Sequence, residues 1–283
     1  MSYKENVMLK GVAIFTLTSC LLLSMQQQAY AKSMHMYQAK EQDSNIPGHT
    51  NRALQVTPYV WATGLKGDIS PFKRAPTVTV KKSFGEIIEE LNLGGFINLW
   101  GRYDNFVFSS DIMYINATDS QTIGPVPPLP VPIPPGIFLN GSVDTQQFMM
   151  TLQGGYRVYD VQNFTLDALA GAQFWRISNE VTVSAGSISR SYREHFSWVD
   201  PVVGLRVFMR MMDKLSLQAQ ANIGGFSVGS DFTWSALATI NYLATDSMAL
   251  SAGYKIMDID YSDGGHVYDV RLNGPVLSMT WRF

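Results

Sequence analysis

From Leu54 onward, apolar and polar residues alternate with a period of two, in short segments that recur along the chain. In LSLQAQANI, Leu215, Leu217, Ala219, Ala221 and Ile223 share one face, and Ser216, Gln218, Gln220 and Asn222 share the other. DFTWSALATINY sets Phe232, Trp234, Ala236, Ala238, Ile240 and Tyr242 against Asp231, Thr233, Ser235, Thr239 and Asn241. A strand turns successive side chains to opposite faces, so the pattern predicts a sheet with one apolar and one polar side. Ten segments fit it, beginning near Leu54, Leu93, Phe106, Val143, Phe164, Ser197, Leu215, Asp231, Met248 and Tyr268. The first has mixed faces. In the last the phase slips at Gly274-Pro275, which predicts a bulge. Gly224-Gly225 reads as a bend within a strand.

The connections alternate in length. Tight polar turns sit at Asp104-Asn105, Asp160 to Asn163, Asp213-Lys214 and Thr245 to Ser247, whereas long connections follow Lys66, Asp119 and Ser178. Ser227 to Ser230 and Ser262 to His266 are short members of the second set. This is the pattern of a closed antiparallel up-and-down transmembrane β-barrel of about ten strands, with eight to twelve as the range. A soluble periplasmic ligand-binding barrel also alternates, with its apolar face turned inward. Two features favour the membrane form. Tyr103, Phe106, Tyr156, Phe164, Tyr242 and Phe283 lie beside the tight turns, where an interfacial aromatic girdle belongs. Charges of both signs (Arg102, Asp111, Arg157, Asp167, Asp200, Arg206 and Arg210) fall on the faces rich in Gln, Ser and Thr. In a lumen they can pair and be hydrated, whereas an Arg facing lipid at mid-depth would cost about 2–4 kcal/mol. Arg206 and Arg210 are expected to pair with Asp167 or Asp200. With Trp175, Trp198 and Phe208 also pointing inward, the lumen should be filled or narrow.

Composition agrees: 46% apolar with 16% charged is poor in charge beside the roughly 25% of an ordinary soluble domain. A basic start, the apolar run GVAIFTLTSCLLLSM and Ala29-Tyr30-Ala31 predict a signal peptide over 1–31. A flexible periplasmic leader over 32–53 and a barrel over 54–283 follow. Leu17-Thr18-Ser19-Cys20 also resembles a lipoprotein box, with Cys20 lipidated. Cys20 is the only cysteine, so cleavage after Ala31 leaves a mature chain without disulfides, zinc–thiolate sites or a thiol nucleophile. Removing Lys4, Lys10 and Glu5 leaves 21 − 2 = 19 basic and 23 − 1 = 22 acidic residues, a charge of −3. No basic tract points to nucleic acid, and no residue pattern calls for a cofactor or a metal.

Three further features carry chemistry. In SFGEIIEEL, Ser83 and Glu86 have capping-box spacing and Phe84, Ile87, Ile88 and Leu91 share a helical face, predicting a short helix in the first outer loop, packed on or into the barrel mouth. GPVPPLPVPIPPG, Gly124 to Gly136, cannot pair as a strand because proline lacks a donor. It should run as extended polyproline II, a stiff spacer or a surface that meets a partner or lipopolysaccharide. Of the four histidines, His35 and His49 lie in the leader, and His195 and His266 in outer loops. His266 near Asp263 or Asp269, or His195 near Asp200, is what a rim-site hydrolase of omptin or acyl-hydrolase type would need.

The final strand, LSMTWRF, alternates large apolar residues and closes on Trp281 and Phe283. It resembles the assembly signal of Gram-negative outer-membrane barrels. WVDPVVGLR (Trp198 to Arg206), GGFSVGSDFTWSAL (Gly224 to Leu237) and PYVWATGLKGD (Pro58 to Asp68, as opening strand) resemble motifs of a widespread, poorly characterised family of such barrels. The resemblance covers roughly Leu54 to Phe283, and the proline tract departs from it. It implies a fold, an outer-membrane location, contact with outer-membrane lipid and lipopolysaccharide, and folding by the barrel assembly machinery, but no catalytic residue. The expected function is structural, adhesive or that of a narrow solute pore, without catalysis.

Overall fold

The alternating segments form strands, and ten of them close on themselves. The computed structural model describes residues 52–73, 76–123, 139–185 and 188–283. The expected signal peptide, nearly all of the expected leader, and the proline tract Gly124 to Gly136 lie outside these. The elements are β1 (Arg52–Trp61), β2 (Gly64–Ser70), β3 (Val78–Lys82), α1 (Phe84–Glu90), β4 (Leu91–Tyr103), β5 (Phe106–Ile123), β6 (Leu139–Val161), β7 (Phe164–Ala185), β8 (Ile188–Met212), β9 (Leu215–Gly224), β10 (Phe232–Thr245), β11 (Met248–Asp263) and β12 (His266–Arg282). β1 pairs antiparallel with β4, β4 to β12 pair in sequence, and β12 returns to β1. The ring therefore has no open edge at this level. Its final rung is reciprocal: Leu54 N donates to Phe283 O (3.1 Å) and Phe283 N to Leu54 O (2.9 Å). The end holding this rung and the tight turns is called the lower end below.

Turn chemistry sets the strand ends. Asp104 adopts φ 51° in the β4–β5 turn, a left-handed conformation that Asp and Asn tolerate better than most residues. At the upper end Gly264 (φ 60°) and Gly265 (φ 87°) join β11 to β12, the double positive φ of a type I′ two-residue hairpin. Gly224-Gly225 does not bend a strand; it ends one. β9 stops at Gly224, and Gly225, Phe226 and Ser227 follow with φ 86°, 51° and 57°.

All three long connections contain more strand than their polarity suggests; beyond Asp119, β5 and β6 stay paired as far as Ile123↔Leu139. Beyond Ser178, β7 and β8 run on to Ala185 and from Ile188 as one tall hairpin. Polar cross-strand pairs hold it, including the Glu180–Arg193 ion pair and a 3.0 Å hydroxyl contact between Ser184 and Ser189. Beyond Lys66, the chain forms β2, β3 and α1. β2 continues along β12 in the register of β1, from Trp61↔Val276 to Gly64↔Asn273. The break at Ala62-Thr63 has a local cause: Pro275 O accepts from Ala62 N (2.9 Å), but Pro275 has no N–H to return.

The phase slip in β12 is not a bulge. β11 and β12 keep one register from Met248↔Trp281 to Asp263↔His266. What changes is the chemistry on a fixed alternation. In the lower half Leu277, Met279, Trp281 and Phe283 point outward while Ser278 and Thr280 line the lumen. In the upper half Tyr268, Val270 and Leu272 are buried inside, and Asp269, Arg271 and Asn273 are exposed. β11 inverts at the same height: Leu250, Ala252 and Tyr254 face out with Ser251 and Lys255 in, then Met257, Ile259 and Tyr261 face in with Asp258 and Asp260 out. The wall is thus apolar outside below this level and apolar inside above it.

Around the lower half, Phe108, Val203, Leu205, Ile223, Ile240, Leu250 and Leu277 form an exposed apolar belt. Tyr103, Phe106, Tyr156, Tyr242 and Phe283 edge it beside the tight turns, all at least 46% exposed, with Phe164 partly covered. A belt of this extent is foreign to a water-soluble monomer. No helix among the described residues is long and apolar enough to cross a membrane.

Candidate functional site

The interior has three levels. The lowest is mostly polar, around a small buried apolar cluster of Trp100, Val107 and Leu169. Gln153 Nε2 donates to Asn222 Oδ1 (3.0 Å), and Asn222 Nδ2 to Ser235 Oγ (3.2 Å). Gln and Asn suit this level because each amide can both donate and accept, so side chains from different strands, β6 and β9 or β9 and β10, satisfy one another. Two charged networks are set among them. Arg157 binds Asp167 through Nε (2.8 Å) and Nη2 (3.4 Å). Arg206 Nη1 approaches the same carboxylate at 3.6 Å while its Nη2 donates to Gln218 (2.8 Å) and Gln55 (3.4 Å). Both guanidinium groups lie over the Trp100 ring, at 5.7 Å and 4.4 Å. Since β8 and β1 stand on opposite sides of the ring, the Arg206–Gln55 contact crosses the whole lumen.

The second network was only half visible in the sequence. Lys255 Nζ donates to Asp111 Oδ2 (2.6 Å) and Tyr59 Oη (2.8 Å), and Tyr59 donates to Asp111 Oδ1 (2.9 Å). Lys255 was missed as the partner of Asp111 although the alternation of SAGYKIMDI puts it on the lumen face with Ser251.

The other ladder residues part company. Arg102 Nη1 donates to Asp104 O (3.0 Å) at the lower rim. Arg210 is exposed at the lower mouth, where it shares a recess of about 110 Å³ with Lys214 and Arg282; the expected pairing of Arg210 with Asp167 or Asp200 does not form. Asp200 is 0% exposed and pairs with neither arginine. It accepts from Trp198 Nε1 (3.0 Å) and Ser230 N (2.6 Å), fastening the β9–β10 loop to the wall. One carboxylate thus serves two arginines and the other serves as a loop anchor, a division that faces and spacing could not show.

The middle level is an aromatic plug. Trp175 and Trp198 stack at 5.5 Å and 8°, Trp198 and Tyr261 at 4.0 Å and 15°, and Phe196 and Trp198 at 5.9 Å and 10°. Met113, Met149 and Ile259, each 0% exposed, and Trp61 pack around them in one core. These residues come from β1, β5, β6, β7, β8 and β11, so the cluster reaches across the barrel. Phe196 also stacks on His266 at 4.3 Å. His266 Nε2 lies 3.5 Å from Glu194 Oε1, beyond hydrogen-bonding geometry, and neither ring nitrogen has a hydrogen-bond partner among the described residues. The acid at His266 is therefore Glu194 and not Asp263 or Asp269; His195 is exposed, away from the buried Asp200.

The uppermost level lies under the β2–β3 hairpin. Its connection crosses to the far wall: Lys73 N donates to Glu194 Oε2 (3.3 Å), Asn179 Nδ2 to Pro71 O (3.3 Å), and Phe72 meets Tyr192 at 5.5 Å. α1 follows, with the capping box complete: Ser83 N and Oγ both donate to Glu86 Oε2 (2.7 Å each), and Glu86 N donates to Ser83 Oγ (3.4 Å). These bonds hold the Glu86 carboxyl below the usual carboxylate range. Of the apolar face expected on the helix, Ile87 turns to the interior while Phe84 and Ile88 stay exposed. Lys82 Nζ joins Glu90 (2.5 Å and 2.6 Å) and Asp119 (2.8 Å), tying β3 to α1 and β5. Partial burial works against its charge, but the two carboxylates hold its pKa above the ordinary lysine value.

No family model matches the chain, and no curated protein does. Among solved structures it is similar to the outer membrane protease OmpT from Escherichia coli, with 9% identity over 85% of this chain and 99% of that one and a TM-score of 0.48. The translocator domain of the autotransporter NalP from Neisseria meningitidis aligns at 12% identity over 91% and 98%, with a TM-score of 0.41. The attachment invasion locus protein Ail of Yersinia pestis aligns at 11% over 82% and 98%, with a TM-score of 0.30. At such identities no residue role passes from any of them to this chain.

Proposed function

We propose that this chain is an integral barrel of the Gram-negative outer membrane whose lumen is sealed, serving at the cell surface as a structural or adhesive protein without a catalytic step. The observation that carries the reading is the aromatic plug. A ring of ten strands is near the size that side chains can fill. Here stacked rings with exposures of 1–7% occupy the middle, above a polar level crossed by side-chain hydrogen bonds. The outward belt supports the membrane, because an apolar surface of that height is stable only against lipid. On this reading the belt meets outer-membrane lipid, the upper wall stands among lipopolysaccharide, and Leu277 to Phe283 is the strand that the barrel assembly machinery recognises.

A rim-site hydrolase fits less well. Its histidine must stand at an open rim beside an acid, where substrate or water can reach it, whereas His266 is 3% exposed and stacked on Phe196 at 4.3 Å, and the exposed His195 lies away from the buried Asp200. The deciding experiment is single-channel recording in planar bilayers. The wild-type barrel should show no steady conductance, and Trp175→Ala/Trp198→Ala should open discrete steps. Stable ohmic steps from the wild type would overturn the sealed reading.

A further inference from the structure

Above the plug the interior opens into a cavity of about 370 Å³. Leu65 and Ile69 of β2, Val80 of β3, Ile115 of β5, Ile177 of β7 and Leu272 of β12 supply its apolar surface. The polar side chains that reach it are largely occupied with one another. Thr145 Oγ1 donates to Asn179 Oδ1 (3.1 Å), Asn179 Nδ2 to Pro71 O (3.3 Å), and Tyr268 Oη to Gln147 Oε1 (3.2 Å). Water gains little in such a space, since a stable buried water needs two to four polar partners, while an apolar cavity of roughly 150 Å³ already takes a benzene ring. The volume here falls within the roughly 300–1,000 Å³ of small-molecule sites.

We propose that this cavity is a binding site for an uncharged, compact apolar molecule, of the size of two or three fused aromatic rings. Charge argues against an anionic amphiphile such as a fatty acid. Lys82 is the cation at the rim, and it is already engaged by Glu90 and Asp119. An anionic head group would have to displace one of those carboxylates. The same three residues mark the way in. Among the described residues β3 forms its ladder with β2 alone, and on its side toward β5 the Lys82 ion pairs stand in place of backbone hydrogen bonds. Parting that seam breaks ion pairs but no strand pairing. The site depends on the upper wall and not on the plug, so binding and conductance are separate questions.

The full chain, refolded in lipid and transferred to amphipol, would be titrated with naphthalene and, separately, 1-naphthoate, with binding read by calorimetry and ligand-observed saturation-transfer NMR. Naphthalene should saturate a single site, and naphthoate should bind at least about tenfold more weakly, a gap of roughly 1.4 kcal/mol. Val80→Trp and Ile87→Trp, which fill the cavity from two elements, should each abolish naphthalene binding while the heat-modifiable gel shift shows a folded barrel. Glu90→Gln/Asp119→Asn, which frees Lys82, should bring naphthoate to or above the affinity of naphthalene. Absence of saturable naphthalene binding, binding that survives both filling variants, or a wild-type preference for naphthoate would each overturn the proposal. If one filling variant does not fold, the other decides.

Discussion

Replacing Lys255 by methionine should destabilise the barrel by about 3 kcal/mol, through what it leaves behind more than through what it removes. The ammonium joins Asp111 of β5 at 2.6 Å and Tyr59 of β1 at 2.8 Å, and it lies 4.8 Å from the Trp61 ring centroid. Without it, Asp111 keeps one hydrogen bond, from Tyr59, and no cation in contact. Breaking one partner out of a buried pair costs about 3–5 kcal/mol. The Lys255 side chain is 6% exposed and that of Asp111 21%, so the stranded carboxylate retains some hydration and the lower figure applies. Removing the whole group should be far milder, because well-packed apolar residues often replace a buried ion pair at little cost. Lys255→Met/Asp111→Leu/Tyr59→Phe, lying next to Met257 and Trp61, should therefore recover about 2 kcal/mol of the loss. Reversible urea unfolding in lipid vesicles, followed by tryptophan fluorescence and by the folded band on unboiled gels, measures both. If Lys255→Met lies within about 0.5 kcal/mol of wild type, the typical scatter of surface substitutions, the network is not the buried unit described. A triple variant no more stable than the single would refute the stranded-charge argument itself.

Probes at Leu217 and Ile223 should be quenched by lipid-soluble agents and probes at Gln218 and Asn222 by small aqueous ones from the lower mouth, because alternate residues of β9 face opposite sides; reversed quenching would indicate a soluble barrel. Deleting Phe283 removes the Leu54–Phe283 rung and a ring that is 75% exposed, and even full burial of a Phe is worth only about 1.5–3 kcal/mol. Assembly in cells should therefore fall far more than refolding in detergent, seen as unfolded precursor in the periplasm, and normal outer-membrane levels would refute a recognition role. For α1, the lowered Glu86 carboxyl makes the cap stable above the unfolded-state value near 4.3 and lost only as pH falls through the lower folded value. NMR shifts of the Ser83 and Glu86 amides should hold at that pH and move below it, and a midpoint at the ordinary glutamate value would show the capping box to be absent in solution.

Much of the architecture is local and so legible in the chain. Side-chain direction in a strand repeats every two residues, so the faces of β9, β10 and the lower β12 follow from LSLQAQANI, DFTWSALATINY and LSMTWRF without knowledge of neighbours. The four tight turns carry Asp, Asn, Ser or Lys at their tips, and Ser83 with Glu86 specifies a helix start from within one turn. Even the count of ten barrel strands follows from these signals. Parity likewise puts Asp111, Arg157 and Asp167 on the faces that carry Gln, Ser and Thr in their strands, and Arg206 on the face opposite Val203 and Leu205.

What only the tertiary structure decided depends on residues far apart in sequence that the closed ring brings together. That Asp167 takes both Arg157 and Arg206, that Asp200 instead anchors Ser230, and that Lys255 meets Asp111 across the lumen are set by the relative heights of strands, which the order of residues in one strand does not contain. The apparent slip in β12 has the same origin. Alternation reports which residues share a face, but whether that face should be polar changes where the wall passes from the belt to the aqueous upper half, and one continuous register then reads as two. Polar hairpins such as Ser178 to Ser197 look like loops because their strand pairing is stabilised by cross-strand partners instead of burial. The aromatic plug and the cavity above it draw their side chains from six or more strands, so they exist only once the ring is closed.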